Sequence, residues 1–155
     1  DGIRKEISIL RDSPPAEPVR VMHSAVSRKV SAMLEDVVKT GGTGTRAATK
    51  GYRIAGKTGT AKKVKQGVYE DDAYLAVFCG IAPVENPKVV IAIVIDEPKK
   101  HGYYGGVVSA PVFSGIASRV LRYLDVAPDG EIMHAGNQLM LNAGATKKVI
   151  DEKVI

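Results

Sequence analysis

The stretch Ala55-Gly56-Lys57-Thr58-Gly59-Thr60-Ala61-Lys62-Lys63 sets a cation, two hydroxyls and a glycine on consecutive residues. An ammonium beside hydroxyls can hold a carboxylate or a phosphate. A glycine between them lets another backbone come close, because no Cβ stands in the way. The chemistry this points to is a strand edge that binds an anionic, peptide-like ligand. The bland alternative is a solvated basic edge strand.

Elements on either side must position these residues. Upstream, Val26, Val30, Met33, Leu34, Val37 and Val38 recur at helical spacing and predict an amphipathic helix over 24–40. Ser24 or His23 can cap its start, and Gly41-Gly42 ends it. A polar loop, Gly42-Thr43-Gly44-Thr45-Arg46, follows. Three strands are expected next, over 52–64, 73–82 and 88–95, with turns at Gln66-Gly67 and around Pro83 and Asn86-Pro87. The last of them is apolar without alternation, which predicts a central strand covered on both faces. The short links argue for an antiparallel meander, since parallel neighbours need a crossover of a dozen or more residues. A second helix is expected over 110–124, capped by Ser109, with Pro111 in its first turn. Val112, Phe113, Ile116, Val120, Leu121 and Leu124 would form its packing face. The fold class is therefore α+β, a three-strand meander flanked by an N-terminal and a C-terminal helix. Residues 1–21 read as linker or loop with a short strand over 6–10; 22–129 form the folded unit; 130–155 are a weakly patterned tail.

Composition narrows the function classes. At 155 residues and 45% apolar content the chain can build one real core. Its longest apolar run, Val89 to Ile95, is too short to span a bilayer, so no direct membrane insertion is expected. The net charge of +5 is spread along the chain, aromatics are 5% and there is no Trp, which argues against nucleic-acid binding. The lone Cys79 lies in an apolar run and reads as a small buried core residue. His23, His101 and His134 sit in unrelated settings and supply neither a metal site nor a triad. No cofactor is called for. Asp1 does not look like a natural start, so a piece of a longer protein is expected and targeting segments cannot be judged.

Gly51-Tyr52-Arg53-Ile54-Ala55-Gly56-Lys57-Thr58 also matches the phosphate-loop pattern G-x-x-x-x-G-K-[ST]. That loop must follow a buried strand and open a helix at its lysine. Here residues 41–50 are rich in Gly and Thr, and Gly59 and a basic extended run follow Lys57. A nucleotide hydrolase is rejected on that context.

Several separated motifs carry a resemblance. Gly41-Gly42-Thr43-Gly44-Thr45-Arg46-Ala47-Ala48, the lysine stretch, Asp96-Glu97-Pro98, and Gly102-Tyr103-Tyr104-Gly105-Gly106 running on to Phe113 fall in one order. Together they resemble the C-terminal part of the transpeptidase domain of class B penicillin-binding proteins, the septal peptidoglycan D,D-transpeptidases of Gram-negative cell division. K-T-G is one of three motifs of that class, beside S-x-x-K and S-D-N. The resemblance covers about residues 20 to 129.

It implies a serine acyltransferase that acts on D-Ala-D-Ala stem peptides and is acylated by β-lactams. It further implies a parent anchored in the inner membrane, working on the periplasmic side at the septum with division proteins as partners. The chain has no S-x-x-K and no S-x-N. In the family both lie upstream of the matching region. No catalytic residue is therefore assigned here, and the isolated chain is expected to be inactive. The resemblance gives Lys57 the ligand carboxylate and the proton positions around the absent serines. It gives Thr58 and Thr60 hydroxyl contacts to the same carboxylate, and the Thr60 backbone N–H half of an oxyanion hole. Gly59 would let a peptide lie along the strand as an added strand. Tyr103, Tyr104, Gly105 and Gly106 would form a side of the cleft. Strict alternation puts Lys57 and Thr58 on opposite faces. The alternative function is a non-catalytic module that keeps only the anion-binding edge.

Overall fold

The computed structural model describes residues 2–7, 17–100 and 102–130. The elements run β1 (Ile3–Arg4), β2 (Val19–Arg20), α1 (Ser24–Asp36), a 3-10 turn (Thr45–Ala47), β3 (Ala55–Lys65), β4 (Val68–Ala82), β5 (Val89–Asp96) and α2 (Gly105–Tyr123). β1 and β2 pair as a small antiparallel sheet. Glu6 and Ile7 carry no strand, and the rest of the strand expected over 6–10 lies outside the described residues, as does the tail beyond Gly130.

β3, β4 and β5 form the antiparallel meander in that spatial order. Gln66 and Gly67 both take positive φ, which turns the β3–β4 hairpin tightly (51° and 82°). Glu70, Asp71 and Asp72 continue β4 rather than forming a loop, so β4 begins well before Ala73. The expectation that residues 88–95 form the central strand is corrected. The middle strand of a three-strand meander is the second one, so β4 is central and β5 is an edge among the described residues. β5 alternates half-buried and exposed side chains. Val89, Ile91 and Ile93 pack on the core, while Val90 and Val94 are 72% and 61% exposed.

α2 covers one face of the sheet. Phe78 of β4 meets Phe113 edge-on at 4.9 Å between ring centres, and Leu121, Ala110 and Ala117 complete the buried cluster with Val38, Ala47 and Ile54. Small residues let helix and sheet approach closely: a Cβ on Gly80 would stand 2.8 Å from the Phe113 ring. The expected packing face of α2 is only partly right. Val112, Ile116 and Leu124 are exposed, and the face turned to the sheet is Ser109, Ala110, Phe113, Ala117 and Leu121. The helix also starts earlier than expected, at Gly105 with Tyr104 as its cap residue, which places Ser109 and Pro111 inside it. Ser109 is buried and donates to the Ala76 carbonyl at 2.9 Å instead of capping.

α1 ends at Asp36, not near residue 40, because the chain turns through Val37 to Gly42. His23 caps it: its Nδ1 accepts from the Ala25 N–H at 3.2 Å. No residue of α1 is buried, and Val26, Val30 and Met33 are largely exposed. Among the described residues the other sheet face is exposed at Lys57, Cys79 and Ala92, while Ala55 at its start is buried where α1 meets β3. Directly opposed residues of an antiparallel pair share a face, so Lys57, Cys79 and Ala92 stand in one row across the sheet. Cys79 is therefore exposed, not buried as its apolar neighbours suggested. Alternation along β4 turns Phe78 and Gly80 to α2 and Cys79 away from it.

Candidate functional site: the outer edge of β3

Among the described residues β3 pairs with β4 alone, so its outer edge carries backbone groups outside any strand pairing. Lys57 to Thr60 lie on this edge and not at a helix N-terminus, which removes the geometry a phosphate loop requires. Lys57 is exposed on the face turned from α2 and bends back to donate to the Thr58 carbonyl at 2.6 Å. Thr58 pairs with Phe78 and so turns toward the α2 side. The alternation read from the sequence is what the strand adopts.

Both threonine hydroxyls already have partners on that side. Thr58 and Thr43 share a hydrogen bond at 2.9 Å between their hydroxyls. The Gly105 N–H donates to Thr60 Oγ1 at 3.2 Å. Each hydroxyl keeps further bonding capacity, having one proton and two lone pairs. Thr60 is exposed, and Thr58 is half-buried. Gly59 pairs with Val77. A Cβ on Gly105 would run into the carbonyls of Val77 and Gly59, and one on Gly106 into the carbonyl of Thr43. Gly105 and Gly106 are accordingly buried, and the first turn of α2 lies directly against the lysine strand. They set the distance between helix and strand rather than offering surface.

Tyr103 and Tyr104 stand just before that turn, their rings 4.6 Å apart. Tyr104 is 58% exposed, its hydroxyl lies 3.4 Å from that of Tyr103, and this neighbouring phenol raises the Tyr104 pKa. Tyr103 stacks on Tyr74 of β4 at 4.0 Å and 11°. Tyr74 pairs with Lys62, so the aromatic stack continues the same end of the sheet past Thr60. Lys62 is tied to Asp71 at 3.2 Å, and Lys63 to Asp96 and Glu97 at 2.9 and 2.7 Å. These bonds hold the Glu97 carboxylate below the usual range, Lys63 before Lys99, and push Lys63 up. Both lysines act as ties along the sheet and Lys65 pairs with Glu70 at 3.5 Å, so Lys57 is the β3 lysine with no carboxylate partner among the described residues.

Sequence reasoning missed three groups here. Thr43 reaches Thr58 across fifteen positions. Tyr74 lies within the strand expected over 73–82, where its residue type marks it as a β-former and nothing more. Arg53 links elements: its guanidinium makes a two-point pair with Glu35 of α1 at 2.8 and 2.9 Å and meets Glu85 at 2.7 Å. The Arg53 bonds lower the Glu35 pKa and raise that of Arg53. No local sequence signal joins positions so far apart. Among the described residues no cluster of His, Cys, Asp or Glu can hold a metal ion, and no helix is long and apolar enough to cross a membrane.

The chain matches known proteins over most of its length. The model of the penicillin-binding protein transpeptidase domain matches residues 1–118. Peptidoglycan D,D-transpeptidase FtsI of Escherichia coli is 42% identical over 143 residues, which is 92% of this chain and 24% of that protein. Probable peptidoglycan D,D-transpeptidase PbpC of Pseudomonas aeruginosa is 42% identical over 83% of this chain and 23% of its own length. Among solved structures, the TP domain of Burkholderia pseudomallei penicillin-binding protein 3 superposes with a TM-score of 0.72 at 41% identity, covering 84% of this chain and 40% of that one. The chain thus spans about a quarter of the length of the curated relatives it matches. With the K-T-G strand at a sheet edge, the flanking helix across one face and these matches, the chain belongs to the penicillin-binding protein transpeptidase domain family.

Proposed function

We propose that this chain forms the ligand-binding wall of a septal peptidoglycan D,D-transpeptidase whose serine nucleophile is supplied by other parts of the parent protein. The observation that carries this reading is the outer edge of β3. Lys57 stands there free of carboxylates among the described residues, two residues before Gly59 and three before Thr60. A stem peptide ending in D-Ala-D-Ala is extended and anionic, so it can pair along such an edge and set its carboxylate against Lys57 and the hydroxyls of Thr58 and Thr60. Tyr103 and Tyr104 would border the cleft.

In the reaction, the parent's serine oxygen attacks the carbonyl of the penultimate D-alanine. The terminal D-alanine leaves as the free amine, and an ester remains. The amine of a second stem then displaces the serine and forms the cross-link. The oxyanion that develops in each step is held by backbone N–H groups, that of Thr60 among them. A β-lactam carries a carboxylate and a strained amide into the same place and acylates the same serine. The parent would work on the periplasmic side of the inner membrane among division proteins.

Lys57→Ala in the longer parent tests the wall. Loss of one charge-assisted contact is worth about 1.5–3 kcal/mol, so penicillin acylation and stem-peptide turnover should both fall roughly ten- to a hundredfold. Unchanged acylation in a folded variant would remove Lys57 from the site.

A further inference from the structure

We infer that Asp129 and Arg53 are positioning residues, forming a lock that fixes the lysine strand at its start. Among the described residues β3 has a strand neighbour on one side only, so contacts outside the sheet matter for holding its edge. The segment after α2 folds back onto the lead into β3. Asp129 Oδ1 accepts from the Arg53 N–H at 2.8 Å, the Gly130 N–H donates to the Gly51 carbonyl at 3.1 Å, and the Tyr52 hydroxyl donates to the Val126 carbonyl at 2.8 Å. The Arg53 carbonyl accepts from the Val84 N–H at 3.1 Å. Its guanidinium meanwhile holds Glu35, whose side chain is only 12% exposed, and Glu85. Arg53 therefore ties together α1, the β4–β5 turn and the segment after α2.

From Arg53 to Lys57 the path is short and stiff. Ile54, Ala55 and Gly56 are all buried, and a Cβ on Gly56 would stand 2.6 Å from the Phe78 ring. A shift at Arg53 has no room to be absorbed before it reaches the lysine. Asp129 Oδ2 is buried with no hydrogen-bond partner among the described residues. Burying a carboxylate oxygen in this way costs stability. What it leaves in place is the single bond to the Arg53 amide. The consequence for ligand binding rests on the transpeptidase reading; the lock itself does not.

Amide hydrogen exchange on the full chain tests the lock without any activity. Asp129→Ala should raise exchange of peptides over 51–60 roughly tenfold, while peptides over β5 change little. Tyr52→Phe, which removes one hydroxyl, should move the same peptides less. Asp129→Asn keeps an acceptor and should behave as the wild type. Ile93→Val on the far strand is the control for general loosening and should raise β5 exchange instead. Unchanged exchange over 51–60 in Asp129→Ala and Tyr52→Phe overturns the lock, and so does a rise spread equally over β3 and β5. In the longer parent, Asp129→Ala should slow penicillin acylation threefold or more while folded, with Asp129→Asn restoring it. A β3 exchange effect without an acylation effect overturns the positioning role and leaves the transpeptidase reading untouched.

Discussion

Gly105 joins β3 to α2 at the scale of a single atom. Its missing Cβ leaves space that the carbonyls of Val77 and Gly59 occupy. Its N–H reaches the Thr60 hydroxyl at 3.2 Å. Alanine here gains at most about 1 kcal/mol of helix propensity and loses about 1–3 kcal/mol to overpacking. Gly105→Ala should therefore lower the urea midpoint of the chain. An unchanged or higher midpoint would mean that α2 does not press on β3 as described. Residue types alone cannot show such a contact. Lys39-Thr40-Gly41 repeats the K-T-G triplet, yet it lies in the turn after α1, with Lys39 bonded to Asp36 at 2.9 Å. The second triplet differs in being on a strand edge with Thr43 and Gly105 against it.

At the scale of elements, α2 shows how a proline can sit inside a helix. Pro111 has no N–H to give the Val107 carbonyl one turn earlier. Arg46 of the 3-10 turn Thr45–Ala47 donates to that carbonyl instead, at 3.2 Å. Arg46→Ala should cost about 1 kcal/mol, and the cost should shrink in a Pro111→Ala background, where the helix supplies its own donor. A double-mutant cycle on unfolding free energies measures this, and additive effects would contradict it. This also explains why the sequence placed the start of α2 too late. Proline normally marks a first turn, and here a long-range donor overrides that rule. The meander, the Gln66-Gly67 turn and the His23 cap were legible because they depend on neighbours in the chain. The face of α2 was not. Its small residues Ala110 and Ala117 are buried because the sheet comes close, while the larger Val112 and Ile116 stay exposed.

At the scale of the whole molecule, the described residues leave a sheet surface exposed along Lys57, Cys79 and Ala92. The motif order made the family legible from sequence. The strand order was misjudged because the apolar run of β5 was read as two-sided cover. The side of β5 turned from α2 in fact carries exposed Val90 and Val94. The central claim is that the proposed ligand-binding wall serves a serine held elsewhere in the parent. None of Ser8, Ser13, Ser24, Ser27, Ser31, Ser109, Ser114 and Ser118 has a lysine three residues later. Ser109 and Ser114 are engaged with the carbonyls of Ala76 and Ala48 at 2.9 and 2.7 Å. Acylation needs a serine within reach of a base. The most direct measurement is intact-mass spectrometry after incubation with penicillin, run on this chain and on the longer parent. The account predicts a stoichiometric adduct on the parent and none on this chain. A serine-linked adduct on this chain, or none on a folded parent, would contradict it.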